Sequence, residues 1–302
     1  MDSLLQNDEL MKMISHLGED QSYFRINIGI GNRLFTEKNK AVENLQTNGQ
    51  LVFTPSVGYF HKSGLSLSFT GFLLSENNKT DFYQYALSPS YSYSKGKWVD
   101  VILSYSHYFK KTNYSSSASP FDDEFYGSGI LKKYWIKPSV SIGYSSGRYN
   151  EIVNVDTIVM IANRPAQIKF IDTATTTISS FSVAAGIEHD FNFFNLLSKK
   201  DGLRLTPQLS IITGINDYSV SNKRSVQLYN TYVKRKLKHL KHFQPTTAKS
   251  NYEVQSVGFD LDLNYTIGKF YLEPEVYLDY FLPATNDKRF TQIFNFNIGI
   301  TF

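Results

Sequence analysis

The sequence predicts an all-β protein, a transmembrane antiparallel up-and-down barrel of about twelve strands with a short helical segment at its N-terminus. Three observations predict it. Apolar and polar residues alternate through most of the chain after Tyr23. The connections between alternating runs switch between very short and long. The polar face carries acids that a dry core would not accommodate.

Phe24, Ile26, Ile28 and Ile30 alternate with Arg25, Asn27 and Gly29, and Leu65, Leu67 and Phe69 alternate with Ser66, Ser68 and Thr70. Val99, Val101 and Leu103 continue the pattern, as do Val257, Phe259, Leu261 and Leu263. A period of two with one apolar face marks half-buried antiparallel strands. The expected strands are 21–35, 50–61, 64–75, 81–94, 97–109, 130–145, 148–161, 167–194, 203–219, 252–267, 270–282 and 290–302. Lys62-Ser63, Lys95-Gly96, Ser146-Gly147 and Gly268-Lys269 read as tight turns, and 36–49, 110–129 and 220–251 as long loops. Short turns on one rim and long loops on the other are what membrane barrels build.

Five strands repeat a phrase around a proline on the apolar phase: Pro55, Pro89, Pro138, Pro207 and Pro274. Proline cannot donate to a ladder, so bulges or missing bonds are expected there, at a similar height.

The polar phase holds Glu188, Asp190, Asp260, Asp262, Glu273, Glu275 and Asp279, together with Arg25, Lys137 and Arg204. A wetted, ion-paired lumen suits such a set, so these are expected to face inward. Aromatic residues make up 15% of the chain. Tyr59, Tyr91, Tyr93, Tyr144, Phe191, Phe193 and Tyr265 are expected to form a girdle near the short turns. Tyr83, Tyr105, Phe109 and Tyr280 would form another near the loops.

Mean hydropathy is −0.29, and no run reaches the eighteen or so apolar residues of a spanning helix. The absence of cysteine excludes structural disulfides, thiolate zinc sites and a lipidated N-terminal cysteine. A net charge of +4 gives no indication of nucleic-acid binding. Residues 1–20 stand apart from the barrel at 21–302: Leu4, Leu5, Leu10, Met11 and Ile14 have roughly helical spacing. This segment is expected to be periplasmic or to plug the barrel. Met1-Asp2-Ser3-Leu4-Leu5 lacks a basic-then-apolar leader, so the expectation is a mature chain with its signal peptide removed.

The chain ends Phe294-Asn295-Phe296-Asn297-Ile298-Gly299-Ile300-Thr301-Phe302. This resembles the C-terminal strand signal of bacterial outer-membrane β-barrels, and the pattern as a whole is similar to barrels of the Bacteroidete type. The resemblance implies localisation in the outer membrane of a Gram-negative cell envelope and recognition of the last strand by the barrel-insertion machinery. It implies no particular substrate.

Some such barrels hydrolyse lipids, which requires a nucleophile and a base within reach of each other. The phospholipase type needs an element like His-x-Ser-Asn. Ser104-Tyr105-Ser106-His107 has its serine before the histidine and no Ser-Asn after it. His189 lies between Glu188 and Asp190, but adjacent strand residues face opposite ways. Asp122-Asp123-Glu124 reads as a solvated acidic loop. No catalytic set, metal site or cofactor is expected.

The remaining feature is the 220–251 stretch, which contains no acid. Lys234, Arg235, Lys236, Lys238 and Lys241 surround Val233, Leu237 and Leu240 at helical spacing, which suits contact with lipopolysaccharide phosphates beside outer-membrane lipids. Exposed charges are screened over about 8 Å at physiological salt. Replacing Lys234, Arg235, Lys236 and Lys238 with glutamine should therefore weaken lipopolysaccharide binding, most at low salt, and leave the barrel folded. Equal affinity of variant and parent at both salt concentrations would reduce this stretch to a solvated connection. The functional expectation is a narrow pore for small polar solutes or a structural surface protein. The alternatives are a lipid-modifying enzyme and an accessory subunit of a larger outer-membrane complex.

Overall fold

The computed structural model describes residues 21–33, 47–76, 79–110, 121–161, 164–198, 200–228, 246–249, 251–283 and 289–302. The predicted helical segment at 1–20 lies outside them. Twelve antiparallel staves close into one barrel. The first five are β1 (Tyr23–Arg33), β2 (Thr47–Phe60), β3 (Leu65–Glu76), β4 (Lys79–Tyr93) and β5 (Val99–Lys110). Then come β6 (Asp123–Leu131), β7 (Lys137–Ile161) and β8 (Arg164–Glu188), which resumes after two residues as β9 (Phe191–Phe194). β10 (Asp201–Leu228) pairs with β8, β9, β11 (Thr246–Lys249) and β12 (Glu253–Ile267). β13 (Phe270–Phe281) and β14 (Phe290–Thr301) complete the ring. Closure is made between β1 and β14, from Arg25↔Thr301 to Gly31↔Asn295. A closed ring pairs its backbone internally, as lipid requires.

The expected strand number is reached through two offsetting differences. Lys137–Ile161 is one strand, so Ser146-Gly147 is not a turn. Serine and glycine occur there because the inward face is crowded: Ser139, Gly143, Ser145 and Gly147 are all buried. The true turn, 132–136, reads Lys-Lys-Tyr-Trp-Ile, a composition that suggests strand. Conversely, the expected loop 110–129 contains most of β6. Its opening acids are not solvated loop residues: Glu124 is buried and accepts a hydrogen bond from Tyr108 Oη at 2.8 Å. The 220–251 loop also starts later than expected, because β10 runs to Leu228.

The short connections 61–64, 94–98, 132–136 and 268–269 share one rim with Tyr23 and Phe302. Phe24 and Phe302 exchange backbone hydrogen bonds of 3.1 and 2.9 Å there. Ile28, Leu67, Val140, Leu209 and Phe296 are exposed on the outer wall, whereas their strand neighbours Asn27, Ser68, Ser139, Ser210 and Asn297 face inward. An apolar exterior on a closed barrel is a lipid-facing surface. Tyr105, Phe125, Tyr144 and Phe181 stand side by side in one outward row toward the far rim. Tyr144 therefore belongs to the far girdle, because the turn expected beside it does not exist. Tyr83 belongs to neither girdle, being completely buried inside.

The prolines interrupt the ladder in a regular way. Between β2 and β3 the register passes from Phe53↔Leu73 to Ser56↔Thr70, skipping Pro55. Between β4 and β5 it passes from Leu87↔His107 to Ser90↔Ser104, skipping Pro89. Between β12 and β13 it skips Pro274, from Asp262↔Glu275 to Tyr265↔Leu272. Pro207 lies opposite the break between β8 and β9, and Pro138 lies just beyond the last β6–β7 pair, Ile130↔Ser139. On its other side each proline keeps a paired neighbour: Ile28, Leu67, Ile187, Leu261 and Phe296. A ring nitrogen without hydrogen has no bond to give, and the ladder opens on the side it faces.

Three staves outrun the membrane. β7 and β8 have 25 residues each and β10 has 28, against about 9–11 for a spanning strand. β7 leaves β6 at Asp123↔Ser146 but stays paired with β8 to Ile161↔Arg164, and β8 with β10 to Leu228↔Ile168. A three-stranded sheet thus rises from the long-loop rim.

Candidate functional site: the barrel lumen

Alternation sends one residue in two into the lumen, and the lumen has two zones. The first is a polar pocket of about 180 Å³ against β1–β5, β13 and β14. Its wall is a row of hydroxyls. Ser66 and Ser90 Oγ lie 2.5 Å apart, and Ser88 and Ser106 Oγ 2.8 Å apart. Arg25 and Glu273 line the same pocket. Small hydroxylated side chains leave room between the staves and keep the wall wet.

The second zone is filled. Val52, Phe72, Leu74, Tyr83, Ala86, Tyr108 and Phe121 form a buried apolar cluster, with Ile178 of β8 packed against it. The ring of Phe72 lies 6.2 Å from that of Tyr83 and 6.1 Å from that of Tyr108. A second cluster joins Ala184, Ile212, Tyr277 and Ile293. Two bulges assist the filling. The register shift at Phe72/Leu73 turns both Tyr83 and Gln84 inward, and the shift at Ile212/Thr213 does the same for Gln255 and Ser256. A bulge adds one residue to a strand, here one more side chain to the interior.

These apolar lumen residues depart from the wholly polar lumen that the alternation predicts. Their signal is in the sequence, where apolar residues occupy both phases at once: Leu51-Val52-Phe53, Phe72-Leu73-Leu74 and Phe82-Tyr83.

The charged residues singled out from sequence are distributed around the wall. Lys137 pairs with Asp190, which also accepts a hydrogen bond from Thr206 Oγ1 at 2.7 Å. Glu188 lies between Lys137 and Gln208 in register. Arg204 is exposed and lies between Asn192 and Asn264. Asp262 lies opposite Glu275, and Glu273 accepts a hydrogen bond from Asn264 Nδ2 at 2.5 Å. Asp260 is 3% exposed beside the Tyr277 cluster, and Asp279 accepts from Tyr277 Oη at 3.1 Å. Of the three cations, only Lys137 is within ion-pair distance of an acid among the described residues.

His107 lies on the outer wall, 2.7 Å from Asp123 and edge-on to Phe109. The row continues to Ser146, which lies opposite Asp123 on β7. The carboxylate therefore separates imidazole from serine, the reverse of the order in which a base activates a nucleophile. His189 Nδ1 meets the backbone oxygen of Trp135 at 2.6 Å. Among the described residues no group of three His, Asp or Glu side chains could hold a metal ion. The basic residues Lys234, Arg235, Lys236, Lys238 and Lys241 lie outside the described residues.

No protein-family model and no curated protein matches the chain. Among solved structures, the chain is similar to the RagAB peptide importer at 9% identity and a TM-score of 0.39, covering 91% of this chain and 44% of that one. It thus spans less than half the length of that neighbour. The NanC porin matches at 8% identity and a TM-score of 0.36, covering 92% of this chain and 98% of the porin. The translocator domain of the autotransporter NalP from Neisseria meningitidis matches at 11% identity and a TM-score of 0.35, covering 100% and 95%. These likenesses are too loose to carry an argument about function. The chain's own geometry, a closed ring of an even number of antiparallel strands with an apolar exterior and short turns on one rim, is that of an integral outer-membrane β-barrel.

Proposed function

We propose that this barrel is a non-conducting structural surface protein whose wall anchors the raised sheet of β7, β8 and β10 at the cell surface. The observation that carries this reading is the filled lumen: Val52, Phe72, Tyr83 and Phe121 are between 0 and 1% exposed although they point into the barrel. A water column would leave such side chains accessible. The arrangement of the ends fits an outer-membrane context. The chain enters at Tyr23 on the short-turn rim, which supports a periplasmic or plugging role for residues 1–20. β14 runs through Thr301 to that rim, with Phe302 bonded to Phe24 beside it, which supports its reading by the insertion machinery. The basic stretch after β10 continues from the raised sheet, which supports its reading as a polyanion contact.

Planar-bilayer recording tests the central claim. The purified barrel should insert without steady conductance. Stable open steps of porin size in the parent protein would overturn it and restore the reading as a narrow pore for small polar solutes, to which the serine-lined pocket is otherwise suited.

A further inference from the structure

Among the described residues, Arg25 is the only cation lining the polar pocket. Its guanidinium is bracketed by aromatic rings, 4.6 Å from the Tyr271 centroid, 5.4 Å from Phe60 and 5.9 Å from Tyr23. Two glycines make the bracket possible. A Cβ on Gly58, directly opposite Arg25, would lie 2.9 Å from the Phe60 ring. A Cβ on Gly299 would lie 2.3 Å from Tyr271 Oη. The rings hold the guanidinium in place but accept none of its hydrogen bonds. Nε is buried without a hydrogen-bond partner, and no carboxylate among the described residues forms an ion pair with Arg25. A guanidinium held this way on the pocket wall, with no ion pair among the described residues, matches a carboxylate.

Sideways from Arg25, the same inward row runs through Gly58, Ser68 and Ser88, with Ser66 and Ser90 in the next row toward the rim. A molecule anchored at Arg25 lies across hydroxyls that both donate and accept. Glu273 lines the pocket deeper on the β13 side, where a second carboxylate would be repelled.

We propose that this pocket is a binding site for a small hydroxylated monocarboxylate, entering from the short-turn rim with its carboxylate on Arg25 and its hydroxyls on the serine wall. The site does not depend on whether the barrel conducts.

Calorimetric titration of the full-length barrel in detergent tests it, with gluconate as the probe. Glucose and acetate, which lack one or other half of the recognised chemistry, are the comparisons. Gluconate should bind at least tenfold more tightly than either. Arg25→Gln should weaken gluconate at least tenfold, with Arg25→Lys between the two. Ser88→Ala should weaken gluconate and leave acetate unchanged, a split that general damage to the fold would not produce. Mobility shift on heating in SDS confirms that each variant is folded. No gluconate binding by the parent barrel, equal binding by folded Arg25→Gln, or no preference over glucose and acetate would each overturn the proposal.

Discussion

Replacing Phe72 with alanine should lower the unfolding free energy by about 3–5 kcal/mol, the usual range for emptying a large aromatic site in a packed interior. Phe72 is 1% exposed and packs beside the rings of Tyr83 and Tyr108 on the next two staves. No lipid can refill the space, because the wall is closed. The control is Leu67→Ala on the outer face, where Leu67 is 49% exposed and acyl chains occupy the gap it leaves. Its cost should be much smaller. Urea titration of the barrel in lipid vesicles measures both. A cost for Phe72→Ala below that of Leu67→Ala would mean that the lumen cluster is loosely packed. Removing Tyr83 as well takes out the neighbouring ring, and the Phe72→Ala/Tyr83→Ala double variant should show conductance steps that the parent lacks.

Placing arginine at Ile28 should cost about 2–4 kcal/mol, the range for a cation on the lipid face near the bilayer midplane. Ile28 is 51% exposed and paired with Pro55 and Ile298, both on the outward phase. Ser90→Lys places a cation on the wall of the polar pocket instead, where water reaches it, and should cost clearly less. The same titration in vesicles compares them. Equal costs would show that the two faces of the wall are not lipid and water.

Most of the barrel was legible in the sequence because its physics is local. A period of two and the placement of short turns such as Gly268-Lys269 are both written residue by residue. The failures occurred where the interior overrode local preference. Ser145, Ser146 and Gly147 have turn chemistry, yet β7 runs through them, with Ser145 and Gly147 buried on the inward face and Ser146 in the outward row opposite Asp123. Asp123 and Glu124 have loop chemistry, yet Tyr105, His107 and Tyr108 satisfy them within the wall. The candidate site was half visible. Arg25 and the serine phase could be read directly, but the rings of Phe60 and Tyr271 converge on Arg25 only through pairings between β1, β2, β13 and β14. The filled zone shows in the sequence only as apolar residues on both phases at once, as in Phe72-Leu73-Leu74, and the two bulges that turn extra side chains inward are set by pairing between staves.

Each proline-opened seam lies inside a pair of staves joined across the short-turn rim: β2 with β3, β4 with β5, β6 with β7, β8 with β10, and β12 with β13. The seams between these pairs carry no such gap. Before insertion, a chain rich in alternating apolar strands must cross an aqueous compartment without pairing with copies of itself. Strand templating requires an uninterrupted row of donors and acceptors, and a single imino residue spoils it. With one such residue per pair, no two-stranded unit can zip completely by itself or offer a perfect template to another chain. The pairing that the prolines do allow is completed only when all the staves come together in the bilayer, so the same five residues that weaken the finished wall protect the unfinished one.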